Sequence, residues 1–284
     1  MTDSQFGRLA RHYDDLMAGV PYKLWVNYIE RLLERIDFHP TKVLDVACGT
    51  GNVSELLARR GYDVVGVDVS RDMIEVAQTK GKRVDYLVQD MARLDLGEQF
   101  DLAISLFDSL NYVTDPAHLA EGIHRVSEHV RDGGIFIFDV NTIYALSHHF
   151  FDQASVISDR YPKYVWNSEY DSSTRLCRVR MTFEVVEDGV PMQFKEVHVQ
   201  RGYSLDELSW MLKDAGFEVV EIFHAYEFRK PTRRSDRVFY VARKLRSAES
   251  SGETSGETSG ETSGETSGET SGEISGEISG EING

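Results

Sequence analysis

The stretch Val43-Leu-Asp-Val-Ala-Cys-Gly-Thr-Gly-Asn52 places Gly49 and Gly51 shortly after an aspartate, Asp45. Glycines at that spacing let backbone N–H groups come close to a ligand, as in turns that cradle nucleotides. Further on, Asp63-Val-Val-Gly-Val-Asp68 ends in a carboxylate, Asp68, placed to accept hydrogen bonds from a ribose diol. That acid suits a dinucleotide and an adenosyl ligand alike, and Asp45 helps to separate them. A pyrophosphate would be repelled by a carboxylate so near, whereas the ammonium and sulfonium of S-adenosylmethionine are attracted to one. The third glycine of a dinucleotide fingerprint is also missing, because Ser54 occupies its place. A nicotinamide-dependent oxidoreductase and a non-catalytic adenosyl-cofactor-binding protein stand as the alternatives to an enzyme that uses S-adenosylmethionine.

These residues need a scaffold, and the apolar pattern supplies one. Lys42–Val46 reads as a buried parallel strand running into the glycine turn, with a helix pattern at Val53, Leu56 and Leu57 behind it. Residues 63–69, Val84–Val88, 100–106 and 135–140 read as four more strands. Between them lie a helix capped by Ser70 and carrying Met73, Ile74 and Ala77, and one started by Asp115-Pro116 with the stripe Leu119, Ile123, Val126 and Val130. Asp132-Gly-Gly134 is expected to stop that second helix. Alternating strands and helices predict an α/β fold, doubly wound on a mostly parallel sheet. Two amphipathic helices precede it, one with Phe6, Leu9, Tyr13, Leu16 and Met17, the other with Trp25, Ile29, Leu32, Leu33 and Ile36. Residues 164–170, 176–185 and 192–200 change to a period of two and predict a small antiparallel β insertion. It roofs a pocket or forms a homodimer face, with Trp166, Tyr170, Arg178, Arg180 and His198 to present. Ser204-Leu-Asp-Glu207 is a capping box for a helix burying Leu208, Met211 and Leu212, and residues 217–224 and 237–241 form a closing antiparallel hairpin.

With 284 residues, the chain can bury a core without disulfides or a metal staple, and its two cysteines, Cys48 and Cys177, suit a reducing, cytoplasmic setting. Cys48 reads as a small residue filling a crowded turn. No run is apolar and long enough for a membrane span. The net charge is −16, and nine glutamates with no basic residue fall in residues 249–284, which leaves −7 for the rest. An acidic body disfavours nucleic acid as a partner. The Ser-Gly-Glu-Thr repeat of residues 247–284 predicts a disordered acidic tail. His148 and His149 lack a third ligand at metal spacing, so no metal site is expected, and either is only a weak general-base candidate. The basic loop Lys230-Pro-Thr-Arg-Arg234 reads as a solvated hairpin connection.

Asp45-x-x-Cys-Gly-x-Gly51, Val67-Asp-Val-Ser70, Gln89-Asp-Met91, and Asp132-Gly-Gly134 before Ile135-Phe-Ile-Phe-Asp139 together resemble a class I S-adenosylmethionine-dependent methyltransferase, over residues 1–245. Tyr13-Asp-Asp-Leu-Met17 with Tyr22 and Trp25, Asp108-Ser-Leu-Asn-Tyr112, Asp139-Val-Asn-Thr142 and Phe239-Tyr-Val-Ala-Arg-Lys244 are similar to its YqeM-like bacterial branch. The resemblance implies a Rossmann-like seven-stranded sheet and S-adenosyl-L-methionine as cofactor. Gly49 and Gly51 then hold the methionine and ribose part, Asp45 the ammonium, Asp68 the ribose hydroxyls, and Asp90 with Met91 the adenine. Met73 and Phe107 join the cofactor contacts. Asp108, Ser109, Asn111 and Tyr112 orient the acceptor, expected to be a small molecule, while Tyr13, Tyr22 and Trp25 wall its pocket. The implied organisation is leading helices (1–40), cofactor core (41–146), insertion (147–202), closing helix and hairpin (203–246) and tail (247–284).

Overall fold

The computed structural model describes residues 6, 8–154, 163–187 and 189–246. The expected tail of residues 247–284 lies outside the described residues. A 3-10 turn, Arg8–His12, leads into α1 (Tyr13–Leu16) and α2 (Tyr22–Arg35). Then come β1 (Lys42–Val46), α3 (Asn52–Arg59), β2 (Asp63–Asp68), α4 (Arg71–Thr79), β3 (Val84–Val88) and β4 (Phe100–Ser105). These are followed by α5 (Pro116–His129), β5 (Val130–Asn141), α6 (Ile143–Ser147) and β6 (Gln153–Ala154). β7 (Lys163–Asp171), β8 (Leu176–Glu187), β9 (Val190–Arg201), α7 (Leu205–Asp214), β10 (Phe217–His224) and β11 (Arg237–Lys244) complete the order.

Seven strands form one sheet in the order β10-β11-β5-β4-β1-β2-β3. All neighbours pair in parallel except β11, which runs antiparallel to β5 and β10, the closing hairpin expected from the sequence. The period of two in each strand sends alternate residues to opposite faces. Leu44, Val46, Phe136 and Phe138 pack on one face with Leu119, Ile123 and Val126 of α5 and Leu208 and Leu212 of α7. Val43, Ile135 and Ile137 pack on the other face with Ile29 and Leu32 of α2, Leu57 of α3 and Ile74 of α4. Burial on both faces explains why these strands are near-continuous apolar runs.

β5 starts earlier than the sequence suggests. α5 ends at His129 and passes directly into the strand, so Asp132-Gly-Gly134 lies inside β5 rather than stopping a helix. Gly133 adopts φ +75°, and the β4–β5 register jumps from Phe100↔Val130 to Leu102↔Ile135, so the glycines absorb a bulge.

The insertion is a second sheet in the order β6-β7-β8-β9, all antiparallel. One face of β8 carries Cys177, Val179, Met181, Phe183 and Val185 into a third apolar cluster with Leu9 and Leu146, and Tyr13 and Leu16 pack against it. Arg178 and Arg180 alternate onto the exposed face. The leading helical segment is thus fixed by the inserted sheet, and the two together stand over the carboxyl ends of the large sheet's strands.

Candidate active site

A cavity of about 860 Å³ opens at the carboxyl ends of β1, β2 and β4, where open α/β sheets place their ligands. Of the residues singled out by sequence, Tyr13, Tyr22, Trp25, Asp45, Gly49, Asp68, Met73, Asp90, Met91, Phe107, Asp108, Ser109 and Tyr112 line it, whereas Gly51 and Asn111 do not. His148 and His149 also lie away from it, and both are exposed.

After β1 the chain turns through three left-handed residues, Ala47 (φ +59°), Gly49 (+56°) and Gly51 (+76°). The turn is closed by Gly51 N–H donating to the Cys48 carbonyl at 3.0 Å. Gly51 supports the loop from behind: a Cβ there would collide with the Tyr86 hydroxyl, which donates to the Gly51 carbonyl at 3.3 Å. The two glycines should therefore respond differently to alanine. Gly49→Ala meets open space and carries only the left-handed strain of about 1–2 kcal/mol, whereas Gly51→Ala adds the collision with Tyr86. Urea denaturation should show the larger loss for Gly51→Ala, and equal losses would contradict this packing role.

Asp68 is held by two backbone donors, Gly49 N–H to Oδ2 and Ser70 N–H to Oδ1, both at 2.8 Å. Its carboxylate therefore faces the cavity with fixed orientation and free lone pairs. Burial pushes its pKa upward although those hydrogen bonds oppose the shift. Asp45 is 3% exposed and accepts from Ser54 Oγ at 2.5 Å, so the residue in place of the third glycine orients the carboxylate. Burial, with the nearby charge of Asp68 adding to it, pushes Asp45 up to about 7 against the Ser54 hydrogen bond. Asp90 caps the turn Met91–Arg93 through Ala92 N–H at 3.0 Å, and the same oxygen lies 3.0 Å from His118 Nε2. Cys48 lines the turn as well, but burial and then the carboxylates of Asp45 and Asp68 push its thiol well up, away from nucleophilic thiolate.

The leading helix is buckled to this turn by Asp14. Its Oδ1 accepts from Thr50 Oγ1 at 2.6 Å and Asn52 Nδ2 at 2.9 Å, and its Oδ2 pairs with Lys80 Nζ at 2.6 Å. Burial would raise the Asp14 pKa, but the hydrogen bonds from Lys80, Thr50 and Asn52 prevail and hold it below the ordinary range. Trp25 lies against Phe107 with ring centroids 3.6 Å apart, and Tyr22 flanks the same ring at 5.1 Å.

At the end of β4 the chain makes a strained turn, with Phe107 at φ +65° and Asp108 at +52°. Asp139 of β5, fully buried, holds both by accepting from Phe107 N–H at 2.7 Å and Asp108 N–H at 3.0 Å. Arg237, the first residue of β11, pairs with Asp139 and reaches Asp108 Oδ1 at 2.6 Å, while Gln200 Nε2 donates to Asp108 Oδ2 at 2.5 Å. Burial works against the Arg237 charge, but Asp108 and Asp139 outweigh it and raise its pKa further. Asn111 is completely buried, and its amide donates to the carbonyls of Asn141 (3.0 Å) and Arg201 (2.9 Å) and accepts from Asn141 N–H (2.9 Å). It fastens β5 and β9 to the turn Ser109–Tyr112 from outside the cavity.

Gln200, Arg237 and Thr50 are cavity residues that the sequence does not single out, and for His198 and Trp166 it leaves the face open. His198 and Gln200 follow Phe194 at even spacing on β9, a signal that needs only one anchored position to resolve. Arg237 carries no local signal.

The family model described as a methyltransferase domain matches residues 43–134. The chain is 32% identical to a protein of Geobacillus sp. (strain WCH70) over 82% of this chain and 96% of that one. It is 31% identical to YqeM of Bacillus subtilis (strain 168), over 84% and 96%. The S-adenosylmethionine-dependent methyltransferase from Clostridium acetobutylicum ATCC 824 superposes with a TM-score of 0.75, at 28% identity, over 85% of this chain and all of that one. Fold, site and likeness define a class I methyltransferase whose cofactor is S-adenosyl-L-methionine. Within that class, the chain belongs to the YqeM-like family.

Proposed function

We propose that the chain methylates a small molecule held between the strand ends of the large sheet and the inserted sheet above them. The observation that carries this reading is one cavity lined at one end by Asp45, Asp68 and Asp90 and at the other by Tyr112, Trp166 and Met181. The donor set fits the cofactor: Asp45 lies where it can hold an ammonium, the fixed carboxylate of Asp68 a ribose diol, and Met73 and Met91 give an apolar wall for the adenine. When bound, S-adenosylmethionine supplies a methyl group on a sulfonium, already an excellent leaving group. The residues of the chain therefore contribute mainly by aligning the acceptor and excluding water. Phe107 and Asp108, locked in their strained turn, set the floor of the acceptor end, and Tyr13, Tyr22 and Trp25 its side.

Buried Asp45 argues against a pyrophosphate and hence against NAD. Among the described residues no helix is long and apolar enough to cross a membrane. The acidic body favours a small acceptor over nucleic acid. Incubation with methyl-labelled S-adenosylmethionine and fractionated cell extract tests this reading: label should appear in a small organic molecule, and label confined to macromolecules would overturn it.

Asp45 adds a pH signature. An ammonium is held by the carboxylate form, and protonation near pH 7 must be reversed on binding. Affinity for S-adenosylhomocysteine should fall by roughly tenfold or more as pH drops from about 7.5 to about 5.5, one proton per bound ligand. Asp45→Asn should bind weakly with a flat profile. A wild-type affinity that is unchanged across this range would contradict the assignment.

A further inference from the structure

Across the acceptor end of the cavity runs a chain of three polar side chains. Glu196 Oε2 lies 2.9 Å from His198 Nε2, and His198 Nδ1 lies 3.2 Å from the Tyr112 hydroxyl. The carboxylate fixes the proton of the ring on Nε2, which leaves Nδ1 to accept from Tyr112. His198 is 1% and Glu196 8% exposed, and Glu196 is itself anchored by the backbone N–H groups of Leu9 at 2.9 Å and Phe6 at 3.3 Å. The Phe6 ring covers His198 at 4.4 Å and Tyr112 at 5.1 Å. Tyr112 and His198 both line the cavity.

The charges around this chain restrict what it serves. Of the carboxylates beside this chain, Asp108 is committed to Arg237 and Gln200, and Glu196 to His198. A cationic amine would find no unpaired carboxylate among these groups, while Trp166, Met181 and Phe183 offer an apolar roof. Resting on the methyl-transfer reading, we propose that the acceptor is a neutral, largely apolar molecule with a weakly acidic hydroxyl, phenolic or enolic, deprotonated through Tyr112, His198 and Glu196. The acceptor O–H gives its proton to Tyr112 Oη as the Tyr112 proton passes to His198 Nδ1. The electron pair so freed on the acceptor oxygen forms the new bond to the methyl carbon, and the pair of the broken C–S bond stays on sulfur. The resulting imidazolium is paired with Glu196 until its proton leaves to water. Tyr112 touches the acceptor, and His198 and Glu196 act through it.

The test uses the full chain saturated with S-adenosylhomocysteine and para-nitrophenol as the probe, whose phenolate is read by its visible absorbance. Groups facing the relay are Glu196 on its own strand, the paired Asp108 and Arg237, and the phenol of Tyr13, while β8 presents Val179 and Met181. In the wild type the bound probe should ionise about one pH unit or more below the free probe, because its proton has a base to go to. In His198→Gln and in Tyr112→Phe that shift should vanish, with S-adenosylhomocysteine binding reporting that each variant is folded. If His198→Gln fails to fold, Tyr112→Phe carries the comparison. A bound probe that ionises at or above the free value, a shift that survives Tyr112→Phe, or no probe binding beside normal S-adenosylhomocysteine binding would overturn the proposal. Loss of S-adenosylhomocysteine binding by the wild type would instead overturn the methyl-transfer reading beneath it.

Discussion

Asp68→Ala should lower affinity for S-adenosylmethionine and S-adenosylhomocysteine by about a hundredfold. A hydrogen bond to a charged group contributes about 1.5–3 kcal/mol, and roughly 1.4 kcal/mol is a factor of ten in affinity. Two ribose hydroxyls on one carboxylate therefore reach that range even after some compensation by water. A second effect points the same way, since the carboxylate also fixes the Gly49 and Ser70 N–H groups, and the glycine turn loosens without it. Asp68→Asn keeps the size of the side chain but turns an NH₂ toward one of those two N–H donors, so it should recover little. Calorimetric affinities for either variant within twofold of wild type would remove Asp68 from the cofactor site.

Arg237→Met should be the most destabilising single change near the acceptor end. The substitution keeps apolar bulk and removes the cation shared by Asp108 and by Asp139, which is fully buried. Breaking a buried ion pair by taking one partner generally costs about 3–5 kcal/mol, because the remaining charge stays without compensation. The sign of the pH dependence follows. Burial already raises the Asp139 pKa against the opposing charge of Arg237, and without Arg237 it rises further, so the variant should regain stability as pH falls and lose it as pH rises. Adding Asp108→Asn to Arg237→Met should restore part of the loss, as measured by urea midpoints at two pH values. A single variant as stable as wild type at neutral pH would show that the network is not what holds the Phe107–Asp108 turn.

Whether a feature is legible in the sequence depends on whether its signal is local. β1, β2 and β4 can be read because strands buried on both faces are near-continuous apolar runs. The alternation of β7 to β9 is equally plain, but not its facing. Arg178 and His198 are equal candidates until the third cluster fixes Cys177, Val179 and Met181 inward and thereby turns Arg178 to solvent. The glycine pair in β5 reads as a helix stop because a bulge and a stop use the same residue type, and only the register with β4 tells them apart. Asn111 stands in a segment near the acceptor, yet its partners Asn141 and Arg201 are 30 and 90 residues away in sequence. Arg237 and Asp14 are invisible for the same reason: their roles exist only once distant carboxylates, or the distant glycine turn, are brought beside them.

The most direct test of cofactor binding at the glycine turn is calorimetric titration of the purified full chain, free of carried-over ligand, with S-adenosylmethionine, S-adenosylhomocysteine and NAD in parallel. Both adenosyl ligands should bind with one site per chain and NAD should not, because a pyrophosphate would lie against Asp45. Binding of NAD alone, or of none of the three, would contradict this and would leave Asp45, Gly49, Asp68, Asp90 and Met91 without a part in holding S-adenosylmethionine.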